Sequence, residues 1–130
     1  MLKSFRDLQV WQRSIQLAAA VYRLAGSFPR EEMYGLSSQM RRAAVSVASN
    51  IAEGYGRLGV GEYRQFLGIA RGSTLELQTQ FEIARALGMG ESKLVDEAEE
   101  LSHEVCKMLY AMLDKLKVSR GTEPSLNPRP

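Results

Sequence analysis

Residues 36–61 read LSSQMRRAAVSVASNIAEGYGRLGVG. Leu36, Met40, Ala43, Val47 and Ile51 recur three and four apart, the period of one helical face. Alanine and serine fill much of the remainder, which suits close packing. Gly54, Gly56, Gly59 and Gly61 then form a breaker-rich connection. The stretch therefore predicts a helix over about 36–55, followed by a turn. A second row runs beside the apolar one: Gln39, Arg42, Ser46, Asn50 and Glu53 share one side. A packing helix with an amide and a carboxylate along one side is either a site or an unusual core.

Three further segments have helical periodicity. Between about Asp7 and Gly26, Leu8, Trp11, Ile15, Ala18, Tyr22 and Ala25 form one row, and Val10, Leu17, Val21, Leu24 and Phe28 form another. Together they make an apolar face covering about half the circumference, wider than a strict two-position seam. Ser4 and Asp7 have capping-box spacing, and Gly26 and Pro29 end the segment. From about Glu62 to Leu87, Tyr63, Leu67, Ala70, Thr74, Leu77, Phe81 and Ala84 follow a seven-residue repeat, with Gly88 as the C-terminal cap. From about Ser92 to Val118, the stripe is Leu94, Ala98, Leu101, Val105, Met108, Met112 and Leu116. No prolines fall between Pro29 and Pro124, and no stretch alternates like a strand. Four amphipathic helices with short connections predict an all-α, antiparallel up-down-up-down four-helix bundle over residues 1–118. The tail, residues 119–130, lacks a periodic face and is expected to be disordered.

The chain's 130 residues suit one domain. Its single cysteine, Cys106, precludes an internal disulfide and points to a reducing compartment. The start, MLKSFRDLQV, has no apolar signal region, and no run approaches the roughly 20 apolar residues of a membrane span. A cytoplasmic protein is expected. Residues 1–90 hold 11 Lys+Arg against 7 Asp+Glu, whereas residues 91–118 hold 4 against 7. Apart from Lys3, every base in the first ninety residues is arginine, which suits planar contacts to carboxylate or phosphate. The alternative is a solvated, salt-bridged helical surface.

The third helical segment has a polar row of its own, with Ser73, Glu76 and Gln80 continuing the line of Phe66 and Ile69. Gly72 would let another backbone approach. If the second and third helices pack antiparallel, Ser46, Asn50, Glu53, Ser73 and Glu76 can share a layer, with an arginine such as Arg71 available to a carboxylate. Such a layer has three readings: a buried hydrogen-bond network fixing register, the rim or pore of an oligomer, or a catalytic carboxylate pair. Other chemistry finds little support. His103 is the only histidine, so the Glu-x-x-His pairs of a di-iron bundle are missing, and His103 with Cys106 makes half a zinc site at most. No arginine lies just before His103, as bundle ribonucleases of the HEPN type would need, and no phosphate-cradling glycine loop occurs. No cofactor, metal or enzymatic activity is expected.

The segments DLQVWQ, FPREEMYGL, QMRRAAVSVASNIAEG and FLGIARGSTLEL, within roughly residues 5–115, resemble the bacterial four-helix-bundle family encoded in 23S rRNA intervening sequences. That family includes the accessory variability determinant proteins of diversity-generating retroelements. The resemblance implies a ring-shaped homopentamer without enzymatic activity. In the retroelement branch it implies a partner of a reverse transcriptase that binds nucleic acid through basic surface. The acidic fourth helix departs from that branch's basic character. The function expected is a non-catalytic oligomeric adaptor, with an RNA or DNA backbone as ligand and Arg41, Arg42, Arg57, Arg64 and Arg71 as candidate contacts. Arg41 and Arg42 diverge by about 100° on a helix, so they cannot face the same way. The rival is a structural protein-interaction scaffold that ignores nucleic acid.

Overall fold

The structure, a computed structural model, describes residues 2–119. Apart from Ser119, the predicted tail lies outside the described residues. The long helices are α1 (Gln9–Gly26), α2 (Leu36–Tyr55), α3 (Val60–Leu87) and α4 (Ser92–Ser119). Each packs against its sequence neighbours, and α1 closes the square against α4, with no diagonal contacts. Contacts across the seams show that all four neighbouring pairs are antiparallel. Tyr22 meets Arg41, while Ser37 donates to the Ala25 carbonyl nearer the connection. Ser46 meets Ser73, Gln78 meets Ser102 while Arg64 reaches Leu113, and Arg13 and Arg23 meet Glu104 and Glu97.

The helix boundaries have local causes. The capping box of Ser4 and Asp7 is present, but it starts a separate 3-10 turn over Phe5–Asp7. Leu8 is extended, at φ −74 and ψ 126, so α1 begins only at Gln9. Asp7 Oδ2 meanwhile accepts the N–H groups of Lys3 and Ser4, at 2.8 and 3.2 Å. Glu32 Oε1 accepts the Leu36 N–H at 3.1 Å and so caps the start of α2. Gly88 ends α3 in the left-handed region, at φ 65, where the Met89 N–H reaches the Ala84 carbonyl at 2.8 Å. Ser27 Oγ accepts the Glu91 N–H at 3.2 Å, which ties the end of α1 to the start of α4.

The core is one cluster drawn from all four helices. Leu17, Val21 and Leu24 of α1 meet Met40, Val47 and Ile51 of α2. Leu67, Leu77 and Phe81 of α3, with Val95, Val105 and Leu109 of α4, complete it. Burying each such side chain contributes about 1.5–3 kcal/mol. Two helices are rotated relative to the sequence reading. On α1 the buried row is mainly Val10, Leu17, Val21 and Leu24, whereas Ile15 and Tyr22 lie exposed. On α4 the innermost line is Val95, Ala98, Ser102, Val105 and Leu109, with Leu94, Leu101, Met108 and Met112 at its flank. A serine in that line hid it from periodicity. Ser102 is satisfied there, donating to the Thr74 carbonyl at 3.3 Å and accepting from Gln78 at 3.2 Å.

Gly54 is no breaker. It is buried inside α2, where a Cβ would meet Phe66 Cβ at 2.8 Å and Tyr63 Cδ1 at 3.2 Å. Its missing side chain lets α2 and α3 cross closely. Gly72 is exposed, with open space around it. No helix among the described residues is long and apolar enough to cross a membrane.

Candidate nucleic-acid interface

Close packing at Gly54 brings part of the polar layer together. Ser46 Oγ and Ser73 Oγ lie 2.9 Å apart across the α2–α3 seam. Asn50 Nδ2 donates to the Ser46 carbonyl at 2.8 Å and to Ser46 Oγ at 3.0 Å. The two carboxylates do not join this network. Glu53 lies at the surface and pairs with Arg57 one turn later, at 3.0 Å. Glu76 is also exposed, and its contact is with Gln80 Nε2 of its own helix, at 3.4 Å. The seam is therefore a small neutral cluster with a carboxylate outside it on each helix.

The arginines divide by what they meet. Arg13 pairs with Glu104 at 2.9 Å, and Arg23 with Glu97 at 3.6 Å. Arg85 reaches Asp96 at 2.9 Å, Glu99 at 2.7 Å and Glu82 at 3.2 Å. These arginines of α1 and α3 answer the acidic face of α4, so the uneven charge along the sequence is partly cancelled in space. Bonding to Glu99 and Asp96 holds the Arg85 guanidinium above its usual range, and Arg85 in turn holds the Glu99 carboxyl below its own.

The five candidate arginines do not form one patch. Arg57 is paired with Glu53 and lies over the Phe66 ring, 4.8 Å from its centroid. Arg64 donates to the Leu113 carbonyl at 3.3 Å, bridging α3 to α4. Arg71 turns toward α4 over the Tyr110 ring at 5.6 Å, with its Nε buried and lacking an acceptor. Arg41 and Arg42 alone come together. Despite their angular separation, both line a shallow cleft of about 570 Å³ beside α2. Arg41 is half-buried over the Tyr22 ring at 5.4 Å, and Arg42 is exposed. Among the described residues, neither has a carboxylate within ion-pairing distance.

The same cleft is lined by Tyr22, Met33 and Tyr34. Sequence reasoning read FPREEMYG only as a connection and Tyr22 as part of the wide apolar face of the first helix, either an interface or packing between neighbouring helices. An aromatic side chain between arginines in a helix connection was the available signal. His103 is exposed and lies 3.9 Å from Glu99. Among the described residues, no group of three or more His, Cys, Asp or Glu is placed to hold a metal.

A solved structure from Bacteroides thetaiotaomicron, a protein with unknown function from the S23 ribosomal protein family, shares this fold with a TM-score of 0.74. It is 19% identical, and the match covers 80% of this chain and 97% of that one. At that identity the likeness shows the fold alone. No curated protein matches the chain. The sequence profile of the 23S rRNA-intervening sequence protein family matches residues 6–111, nearly the whole bundle. The chain belongs to the 23S rRNA-intervening sequence protein family.

Proposed function

We propose that this chain is a non-catalytic adaptor that assembles as a homopentameric ring and binds RNA or DNA through the phosphate backbone. The observation that carries the nucleic-acid part is the contrast among arginines. Arg13, Arg23, Arg57 and Arg85 are neutralised by carboxylates of the same chain, whereas Arg41 and Arg42 share one cleft without any. Unneutralised arginines on one face attract phosphate and release counterions when it binds. Assembly is supported by α3, whose Ile69, Ile83 and Leu87 fall on one side of the helix and stay partly exposed around Glu76. Apolar surface of this kind is costly to leave in water. The absence of catalysis fits the separation of Glu53 and Glu76, which share no partner. As an adaptor, the ring would hold nucleic acid together with a protein, a reverse transcriptase being the partner the family resemblance implies.

The test is binding of labelled structured RNA and duplex DNA at low and moderate salt, with oligomeric mass recorded on the same sample. Wild type is compared with Arg41→Glu/Arg42→Glu. Binding that weakens with salt and is lost in the variant, at unchanged mass, supports the adaptor. No binding at low salt by an intact assembly favours the protein-interaction scaffold instead.

A further inference from the structure

We infer that the α1–α2 connection and the outer side of α2 form a site for a short single-stranded segment of RNA or DNA, with Tyr34 stacking on an unpaired base. This rests on the nucleic-acid reading above and narrows it from backbone in general to unpaired bases.

The site begins with the chain's path. The connection runs through a 3-10 turn, Arg30–Glu32, and then Met33, Tyr34 and Gly35 before α2 starts. The Tyr34 side chain stands 91% exposed, where no packing inside the chain accounts for it. Its ring makes no aromatic or cation–π contact among the described residues, so both faces are free. Tyr22, 48% exposed on α1, lines the same cleft. A second cleft of about 240 Å³ adjoins the first, shares Met33 and Arg41 with it, and extends to Arg30. Between them the two clefts are lined by Arg30, Arg41 and Arg42 and by Tyr22 and Tyr34.

Charge along these clefts favours a polyanion. Among the described residues, Arg30, Arg41 and Arg42 have no carboxylate within ion-pairing distance. The connection also carries two acids, Glu31 and Glu32, the second holding the Leu36 N–H, so the three arginines outnumber the nearby carboxylates by one. Ser38 and Ser49 line the larger cleft and add neutral hydroxyl donors. Arginines and exposed aromatic rings lining one surface are the chemistry of single-strand binding, because every base presents a π-face. A duplex hides its base faces and would engage the arginines without using Tyr34. A protein partner would suit Tyr34 and Met33 equally, but would need an acidic surface to meet the three arginines.

The experiment uses the full chain and fluorescence anisotropy. The probes are labelled oligouridylate and oligothymidylate of about 12 nucleotides and a duplex of the same length. Wild type, Tyr34→Ala, Tyr34→Phe and Arg41→Glu/Arg42→Glu are compared, with the mass of each recorded. The expected result is tighter binding of the single strands than of the duplex. Tyr34→Ala then weakens single-strand binding roughly 5- to 100-fold and leaves duplex binding unchanged. Tyr34→Phe keeps the wild-type affinity, because stacking needs the ring and not the hydroxyl. Equal binding of single strand and duplex, insensitive to Tyr34→Ala but lost in the arginine variant, overturns this inference and leaves the backbone reading standing. No binding of any probe overturns both. A change of oligomeric mass in Tyr34→Ala, without a change in affinity, shows that the face joins copies of the chain and also overturns the inference.

Discussion

Two glycines on adjacent helices make opposite predictions, because one faces a neighbour and the other faces open space. Alanine is better than glycine in a helix by about 1 kcal/mol. At Gly72 nothing stands within 4 Å of the added Cβ, so Gly72→Ala should raise stability by up to that amount in urea unfolding. At Gly54 the Cβ would fall 2.8 Å from Phe66 Cβ, which is anchored to α3 and cannot swing away. Gly54→Ala should therefore destabilise by about 1–3 kcal/mol, the overpacking cost exceeding the propensity gain. The serine pair beside it makes a second prediction. Ser46→Ala leaves the Ser73 hydroxyl short of a partner and should cost about 1 kcal/mol, whereas Ser73→Ala leaves Ser46 Oγ its Asn50 contact and should cost less. The double variant should cost less than the two singles summed, as a double-mutant cycle in urea would show.

Between elements, the α3–α4 seam is held at its surface by Arg85 with Asp96 and Glu99. The Glu99 carboxyl is held below its usual pKa, first by its hydrogen bond to Arg85. Its folded-state value lies below its unfolded one, so it contributes stability at neutral pH. That contribution is complete above the unfolded pKa and is lost as pH falls through the folded value. Wild type should thus lose stability in acid relative to Glu99→Gln, with the two curves converging below the folded pKa. The difference at neutral pH should stay below about 1 kcal/mol, since the bridge is partly solvated. Thermal melts from neutral pH down through the acid range below the ordinary carboxylate pKa would show it. A constant gap across that range would mean that Glu99 contributes by packing alone.

For the whole molecule, the question is where the chain meets others. The outward apolar residues of α3 lie outside the buried core, so charging them should leave the fold intact. If the chain assembles as proposed, Ile69→Asp/Ile83→Asp is expected to keep the helical circular dichroism and a cooperative melt while giving monomers by mass. A variant that still forms a ring would exclude that face as the joint. If the ring gives nucleic acid several copies of the Arg41/Arg42 cleft, the monomer should also bind long RNA more weakly by one or more orders of magnitude, through lost avidity.

The sequence by itself determined that there are four helices, where α2 and α3 end, and which residues of α3 make the core. Those features are local, fixed by apolar period, glycine breaks and the left-handed cap at Gly88. It also made Ser46, Asn50 and Ser73 legible as one group, since spacing alone puts them in line on two helices. The rotation of α1 and α4 was not legible, because both helices are apolar over a wide arc and only their neighbours decide which row is covered. Nor could spacing show that Arg57, just past the end of α2, would turn back to Glu53, or that Arg13, Arg23 and Arg85 would be neutralised by α4 while Arg41 and Arg42 stayed without carboxylates among the described residues. Charges far apart in sequence cancel only where the chain brings them within a few ångströms, and that proximity belongs to the tertiary structure.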